Sequence, residues 1–168
     1  MKIQCDGFEF DFTDALDVFV FDEQNQASPH YHGLSHAMLA VDLIVELPEC
    51  YLFVEVKDFY DPAFYQDGEH FNHLRETLKR KYRDTWLYRW AEGKTDKPIK
   101  FLCVLELETA LISRMAKEVR KQLPVGRVGG RWISVISNGS AVLNFDLWNR
   151  RFTAWPVVRL GTGRSGST

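Results

Sequence analysis

Two carboxylates and an ammonium group dominate the chemistry this chain can offer. Asp42 is followed, after twelve intervening residues, by Glu55-Val56-Lys57. Met38 to Glu46 and Tyr51 to Phe59 read as two strands joined by Leu47-Pro48-Glu49-Cys50, with proline where a type I turn accepts it. If Glu46 pairs with Tyr51, the antiparallel register sets Asp42 opposite Glu55 and makes Lys57 its diagonal neighbour on the same face. The other face is then Val41, Leu43 and Val45 against Leu52, Val54 and Val56. That aliphatic face fixes the register, because a slip of one residue would bury the charges and expose the valines.

Carboxylates on otherwise apolar strands are costly to bury unless they pair or bind an ion. Mg²⁺ or Mn²⁺ would relieve that cost. Mg²⁺ takes oxygen ligands, keeps several waters and is commonly held by one or two carboxylates plus phosphate oxygens, which suits Asp42 and Glu55 with the Val56 carbonyl as a further ligand. Lys57 would then orient or help deprotonate a metal-bound water and stabilise charge accumulating on phosphorus. The plain alternative is a cross-strand charge pair.

The segment HLRETLKRKYRDTWLYRW interleaves Arg75, Lys79, Arg80, Lys81, Arg83 and Arg89 with tyrosine and tryptophan. Cations of this kind bind a phosphate backbone, and exposed aromatics stack on unpaired bases. Lys79, Lys81 and Arg83 are the candidate nucleic-acid contacts. Lys81 falls on the stripe Leu74, Leu78, Lys81, Thr85, at the edge of the inward side of a helix, from which it reaches either the hairpin acids or a bound phosphate. The alternative is a solvated helix face on which Lys81 meets Asp84 or Thr85. His30, His32 and His36 have a spacing that could bind zinc, yet no cysteine or acid completes a signature, and an ordinary polar loop is the simpler expectation. His36 lies nearest the Asp42 strand and is an auxiliary candidate as a proton carrier. His70 and His73 read as surface residues.

Positioning these groups requires a sheet and covering helices. Phe8, Phe10 and Phe12 alternate with acids, and residues 2–22 read as a β-hairpin with one aromatic face. Residues 23–36, with Pro29 and Gly33, read as a loop. A long helix is expected over 69–91, ended by Gly93, with Phe71, Leu74, Leu78, Tyr82, Thr85 and Trp86 on its inward stripe. Ile99 to Leu107 is almost unbroken in its apolar character, as in a central strand covered on both sides. A second helix from Thr109, as its cap, to Leu123 precedes Pro124. Residues 131–160 read as strands RWISVIS, AVLNFDLW and RFTAWPVVRL, with turns at Asn138-Gly139 and Asn149. The terminal GTGRSGST is low in complexity and expected to be disordered, which leaves residues 1–160 as a single domain and 161–168 as a tail.

Composition narrows the class. With 168 residues, 45% of them hydrophobic, the chain can fill one core of ordinary size. No apolar run is long enough to span a bilayer, and the acidic MKIQCDGFEF start does not suit a signal peptide, so a soluble cytoplasmic protein with no membrane partner is expected. Cys5, Cys50 and Cys103 stand far apart and suit buried thiols better than a disulfide framework. The net charge of −2 conceals a segregation of sign: residues 1–70 carry 15 acids and 2 bases, whereas residues 71–168 carry 8 acids and 19 bases. Such asymmetry suggests an anion-binding surface from the second half and carboxylates from the first, or two complementary halves packed together.

Asp42 and Glu55-Val56-Lys57, set in a strand-turn-strand unit followed by a helix and a buried strand, resemble the PD-(D/E)xK nuclease superfamily over residues 38 to about 123. The resemblance implies an α/β, restriction-endonuclease-like mixed sheet flanked by two helices, here with an added N-terminal hairpin and C-terminal strands. It also implies Mg²⁺ or Mn²⁺ held by Asp42 and Glu55, and Lys57 as the catalytic lysine. Val41 stands where the superfamily often has proline. The superfamily core usually begins with a helix that supplies another acid, whereas this chain offers a hairpin and a loop, from whose edge Asp22 or Glu23 would substitute. The function implied is a Mg²⁺-dependent nuclease, acting on DNA in preference to RNA. The alternative is a catalytically inactive nuclease scaffold that binds nucleic acid or a protein partner, a second copy of itself included.

Overall fold

The computed structural model describes residues 1–59, 61–127 and 129–160. The expected terminal tail lies outside them. They form a mixed α/β fold containing a five-stranded mixed sheet, a three-stranded sheet and three α-helices.

Strands β1 (Lys2–Cys5) and β2 (Phe8–Asp11) form a tight hairpin through Asp6 and Gly7, whose φ angles of 50° and 79° are those a two-residue turn of the hairpin hand requires. Here the expectation of one hairpin over residues 2–22 is corrected. Strand β3 (Asp17–Val20) leaves β1 and β2 and pairs instead with β4 (Leu43–Glu46) in the larger sheet. The Thr13-Asp14-Ala15 interruption is therefore a passage between sheets.

Strand β4 pairs with β5 (Tyr51–Lys57) in the expected register, Glu46 opposite Tyr51 through Leu43 opposite Val54, closed by the Leu47 amide donating to the Cys50 carbonyl at 2.9 Å. The first of these strands is shorter than the expected Met38 to Glu46, because the chain bends at Asp42 and residues 38–41 leave the ladder. Val41 accordingly packs with Ile44 and Phe53 rather than with Leu43 and Val45.

After a short 3-10 helix (Pro62–Gln66), α1 (Gly68–Ala91) leads to β6 (Ile99–Leu105), and α2 (Thr109–Gln122) leads to β7 (Gly139–Leu143). Both crossovers join parallel strands, β5 to β6 and β6 to β7. Connections of one hand stepping in one direction leave both helices on the same face. Their inward stripes, Phe71, Leu74, Leu78 and Tyr82 with Ile112, Met115 and Val119, share one core with Phe53, Phe101 and Cys103. The opposite face, Leu43, Val45, Leu52, Val54 and Val56, packs on Phe8, Phe10, Phe12 and Trp148. Central strand β5 is thus buried on both faces, which accounts for its run of apolar residues.

Further expectations change. Thr109 is the first residue of α2 and not its cap; Glu108 holds the cap position without a side-chain hydrogen bond. Residues 131–138 form no strand, and Asn138-Gly139 is no hairpin turn, because Asn138 exchanges hydrogen bonds with Ile99 and starts the parallel β6–β7 pair. The expected strand AVLNFDLW ends at Leu143, and α3 (Phe145–Arg151) begins where the Asn144 side chain accepts from the Leu147 amide. Asn149 lies within α3, holding both backbone groups of Val157 in β8 (Val157–Arg159), which joins β2.

Candidate functional site

The site forms at the C-terminal end of β5, beneath α1. Period-two alternation sends Phe53, Glu55 and Lys57 toward the helices. Glu55 is fully buried at 0% exposure, so its charge must be met from within the protein. Helix α1 meets it with Lys81, which follows Leu74 and Leu78 down the inward stripe. The Lys81 Nζ donates to both Glu55 oxygens at 2.7 and 2.8 Å and reaches Asp42 Oδ1 at 3.4 Å. Lys57 is the most exposed of the four charged groups, its side chain 38% accessible, with its Nζ 3.8 Å from Glu55.

Asp42 is held by its backbone surroundings as well as by charge. Its Oδ2 accepts the Val56 amide at 2.7 Å, and its carbonyl accepts the Phe21 amide at 2.8 Å. One step earlier in the chain, α1 grips the approach. Thr85 Oγ1 accepts the Val41 amide and Asp84 Oδ2 accepts the Leu39 amide, both at 3.1 Å. Lys81, Asp84 and Thr85 share a helix face at spacings of three and four. One turn of α1 therefore positions Asp42 and neutralises Glu55. The positioning roles of Asp84 and Thr85 are absent from a reading of the hairpin alone; the available signal was the placing of polar Thr85, 0% exposed, on an otherwise apolar stripe.

Burial, and after it the Asp42 charge, push the Glu55 carboxyl up to about 8, while Lys81 and Lys57 pull it down. Burial works against the Lys81 ammonium, yet Glu55 and Asp42 together hold it above its ordinary value. Lys81 therefore remains a cation. With both acids ionised, the two carboxylates and two ammonium groups balance.

The oxygen donors suit a hard divalent cation: the two carboxylates of Asp42 and Glu55, which share the Lys81 ammonium. No group of three or more histidine, cysteine or acidic side chains able to hold a metal occurs among the described residues. The Lys81 ammonium lies where a cation shared by Asp42 and Glu55 would lie. The donor set therefore fits a divalent ion on one condition, that Lys81 gives up its bonds to Glu55.

The remaining candidates are dispersed. Lys79 and Arg83 lie two residues either side of Lys81, about 200° around a helix of 3.6 residues per turn, so they turn away from the acids. They line a different pocket, with Trp86 and Trp132. Glu23 accepts its own loop's Asn25 amide at 2.7 Å, and Asp22 accepts from Gln24, so neither supplies a third acid. His36 is exposed. His30 stacks on Phe19, whereas His32 packs on Phe21 and Tyr88 and takes the Leu34 amide on Nδ1, so the two rings serve separate aromatic contacts. His70 meets Asp67 at the start of α1.

No helix among the described residues is long and apolar enough to cross a membrane. Compared with protein-family models, curated proteins and solved structures, the chain matches none of them.

Proposed function

We propose that this protein is a Mg²⁺- or Mn²⁺-dependent nuclease of the PD-(D/E)xK kind, with Asp42 and Glu55 as ligands and Lys57 as the catalytic lysine. The observation that carries the reading is that Asp42, at the bend before β4, and Glu55 of β5 already share one cation, the Lys81 ammonium, with a second, more exposed lysine beside Glu55. The order of elements supports it: three antiparallel strands β3, β4 and β5, then α1, then parallel β6. From β4 onward that succession, strand, turn, strand, helix and buried strand, is the one the resemblance implies, and the β1–β2 hairpin stands in this chain where the superfamily usually begins with a helix.

A divalent ion at Asp42 and Glu55 would supply Lewis-acid polarisation of a phosphodiester and acidify a bound water. The chain's own groups do the rest. Buried Glu55 is shielded from bulk water, so once ionised its charge is little screened from whatever cation it faces. Asp42 is aimed by the Val56 amide and by the backbone that Asp84 and Thr85 hold. Lys57, partly exposed beside Glu55, would hold an attacking water or stabilise negative charge on a phosphate.

A second reading is a nuclease scaffold without turnover, and Lys81 favours it, because its ammonium satisfies both carboxylates without any ion. The deciding experiment is cleavage of single- and double-stranded DNA and of RNA with Mg²⁺ or Mn²⁺. The nuclease reading expects cleavage by the wild type and none by Asp42→Ala or Glu55→Ala. Folded wild-type protein that cuts none of these substrates sinks it and leaves the binding scaffold.

A further inference from the structure

Behind the acid site, on the far side of α1, an apolar slot of about 160 Å³ is walled by Trp86, Leu123, Pro124 and Trp132 and rimmed by Lys79 and Arg83. A cavity of roughly 150 Å³ is large enough for one aromatic ring. Both tryptophans are reachable: Trp132 is 45% exposed and Trp86 is half-buried. Leu123 also lines the next depression, whose remaining wall includes Lys117, Arg120, Lys121 and Arg127.

Cations outnumber acids on this side. Its acids are consumed locally, Glu76 by Arg75 and Lys79, and Glu118 by Arg75 and Lys121. Lys117, Arg120 and Arg127 are exposed and meet no carboxylate among the described residues. Arg83, 66% exposed, pairs with its neighbour Asp84 at 3.3 Å. Exposed cations, three of them meeting no carboxylate among the described residues, beside a slot that fits a ring match a polymer that alternates phosphates with flat bases.

We propose that the surface built by the C-terminal halves of α1 and α2 and by Trp132 binds single-stranded nucleic acid, a base entering between Trp86 and Trp132 and phosphates following Arg83, Arg120 and Arg127. The strand is single because a paired base has no free face to offer the slot, whereas an unpaired one stacks on either indole. This goes beyond the nuclease reading, whose acids lie on the other side of α1, and rests on that reading only for the class of polymer.

The test uses the full chain in EDTA, so that binding is separated from cleavage. Fluorescence anisotropy follows an oligothymidylate of roughly a dozen nucleotides, a span suited to one small binding face. Tryptophan emission should fall as the oligonucleotide binds. Trp132→Ala should weaken binding by roughly 5- to 150-fold, as for loss of one stacked base. Arg120→Glu with Arg127→Glu should weaken it further and flatten its dependence on log salt by about 0.7 for each phosphate no longer neutralised. Trp132 is half in solvent, so its loss should leave the unfolding midpoint near that of the wild type, and Trp86→Phe should retain most of the affinity. The proposal is overturned if the oligonucleotide does not bind, if a duplex of equal length binds as tightly, or if Trp132→Ala binds like the wild type. Binding without cleavage in Mg²⁺ would leave this site standing and remove the nuclease reading.

Discussion

If Lys81 occupies the position of the ion, removing its charge should tighten metal binding. Lys81→Met keeps the length and apolar stem of the side chain and deletes only the ammonium. In the wild type an incoming cation must first displace Nζ from its hydrogen bonds of 2.7 and 2.8 Å to Glu55. A hydrogen bond to a charged group is worth about 1.5–3 kcal/mol net, and the two bonds come from one ammonium on one carboxylate, so they count as a single interaction. At about 1.4 kcal/mol per tenfold, Lys81→Met should bind Mn²⁺ roughly 10- to 150-fold more tightly than the wild type. The metal-free variant should also be less stable at neutral pH, since Glu55 is left buried with only Lys57 nearby, and metal should restore that loss. The assay is calorimetric titration of EDTA-stripped protein with Mn²⁺ and Mg²⁺, beside urea unfolding with and without metal. Lys121→Met, at an exposed position on α2, is the control. Equal or weaker binding by Lys81→Met would refute the idea that ammonium and metal exclude one another.

Lys57→Ala should lower hydrolysis by roughly a hundredfold or more, as for loss of one electrostatic stabiliser, while calorimetry shows metal still binding. Thr85→Val removes the acceptor of a buried Val41 amide, and urea denaturation should show a loss of about 1–3 kcal/mol together with weaker metal binding, because Asp42 loses its anchor. The Glu55 carboxyl gives a signature in pH. Its folded value lies above the ordinary 4.5, so the stability it contributes is complete below 4.5 and is lost as pH rises toward about 8. Wild-type urea midpoints should fall across that window, and those of Glu55→Gln should stay flatter. Metal binding should run the opposite way, strengthening as the pH rises toward about 8, because the ion takes the carboxylate and releases a proton.

Much of this arrangement can be read from the chain, for reasons that differ between elements. The β4–β5 register follows from a turn of fixed length and an aliphatic face that tolerates no slip, and the long α1 follows from its stripe. Short apolar segments are harder, because a few hydrophobic residues fit either period. Phe145 to Arg151 is such a case: Asn144 as cap and Asp146 in the first turn were the helix signals within an apparent strand. Asn138-Gly139 carried hairpin chemistry, yet Ile99 captures Asn138 in a parallel pair that only the tertiary fold creates. Lys79, Lys81 and Arg83 look alike as a basic run, but about 100° per residue divides them between two sides of α1.

The burial of Glu55 shows why a motif and its supporting helix have to be read together. A carboxylate at 0% exposure on a central strand is destabilising by itself, whether or not it later serves an ion. Lys81 makes it tolerable without metal, and on the nuclease reading the same ammonium would stand in the way of the ion. On that reading, stability without metal and affinity for metal would oppose one another through a single side chain. A residue retained only for stability could be replaced jointly with Glu55 by apolar groups of similar size, at little or no loss. The double variant Glu55→Met with Lys81→Met should then fold about as well as the wild type, whereas each single replacement weakens the fold. Urea unfolding of all four proteins measures that coupling directly, and simple additivity of the two losses would mean that the ion pair between Lys81 and Glu55 contributes nothing to holding the site together.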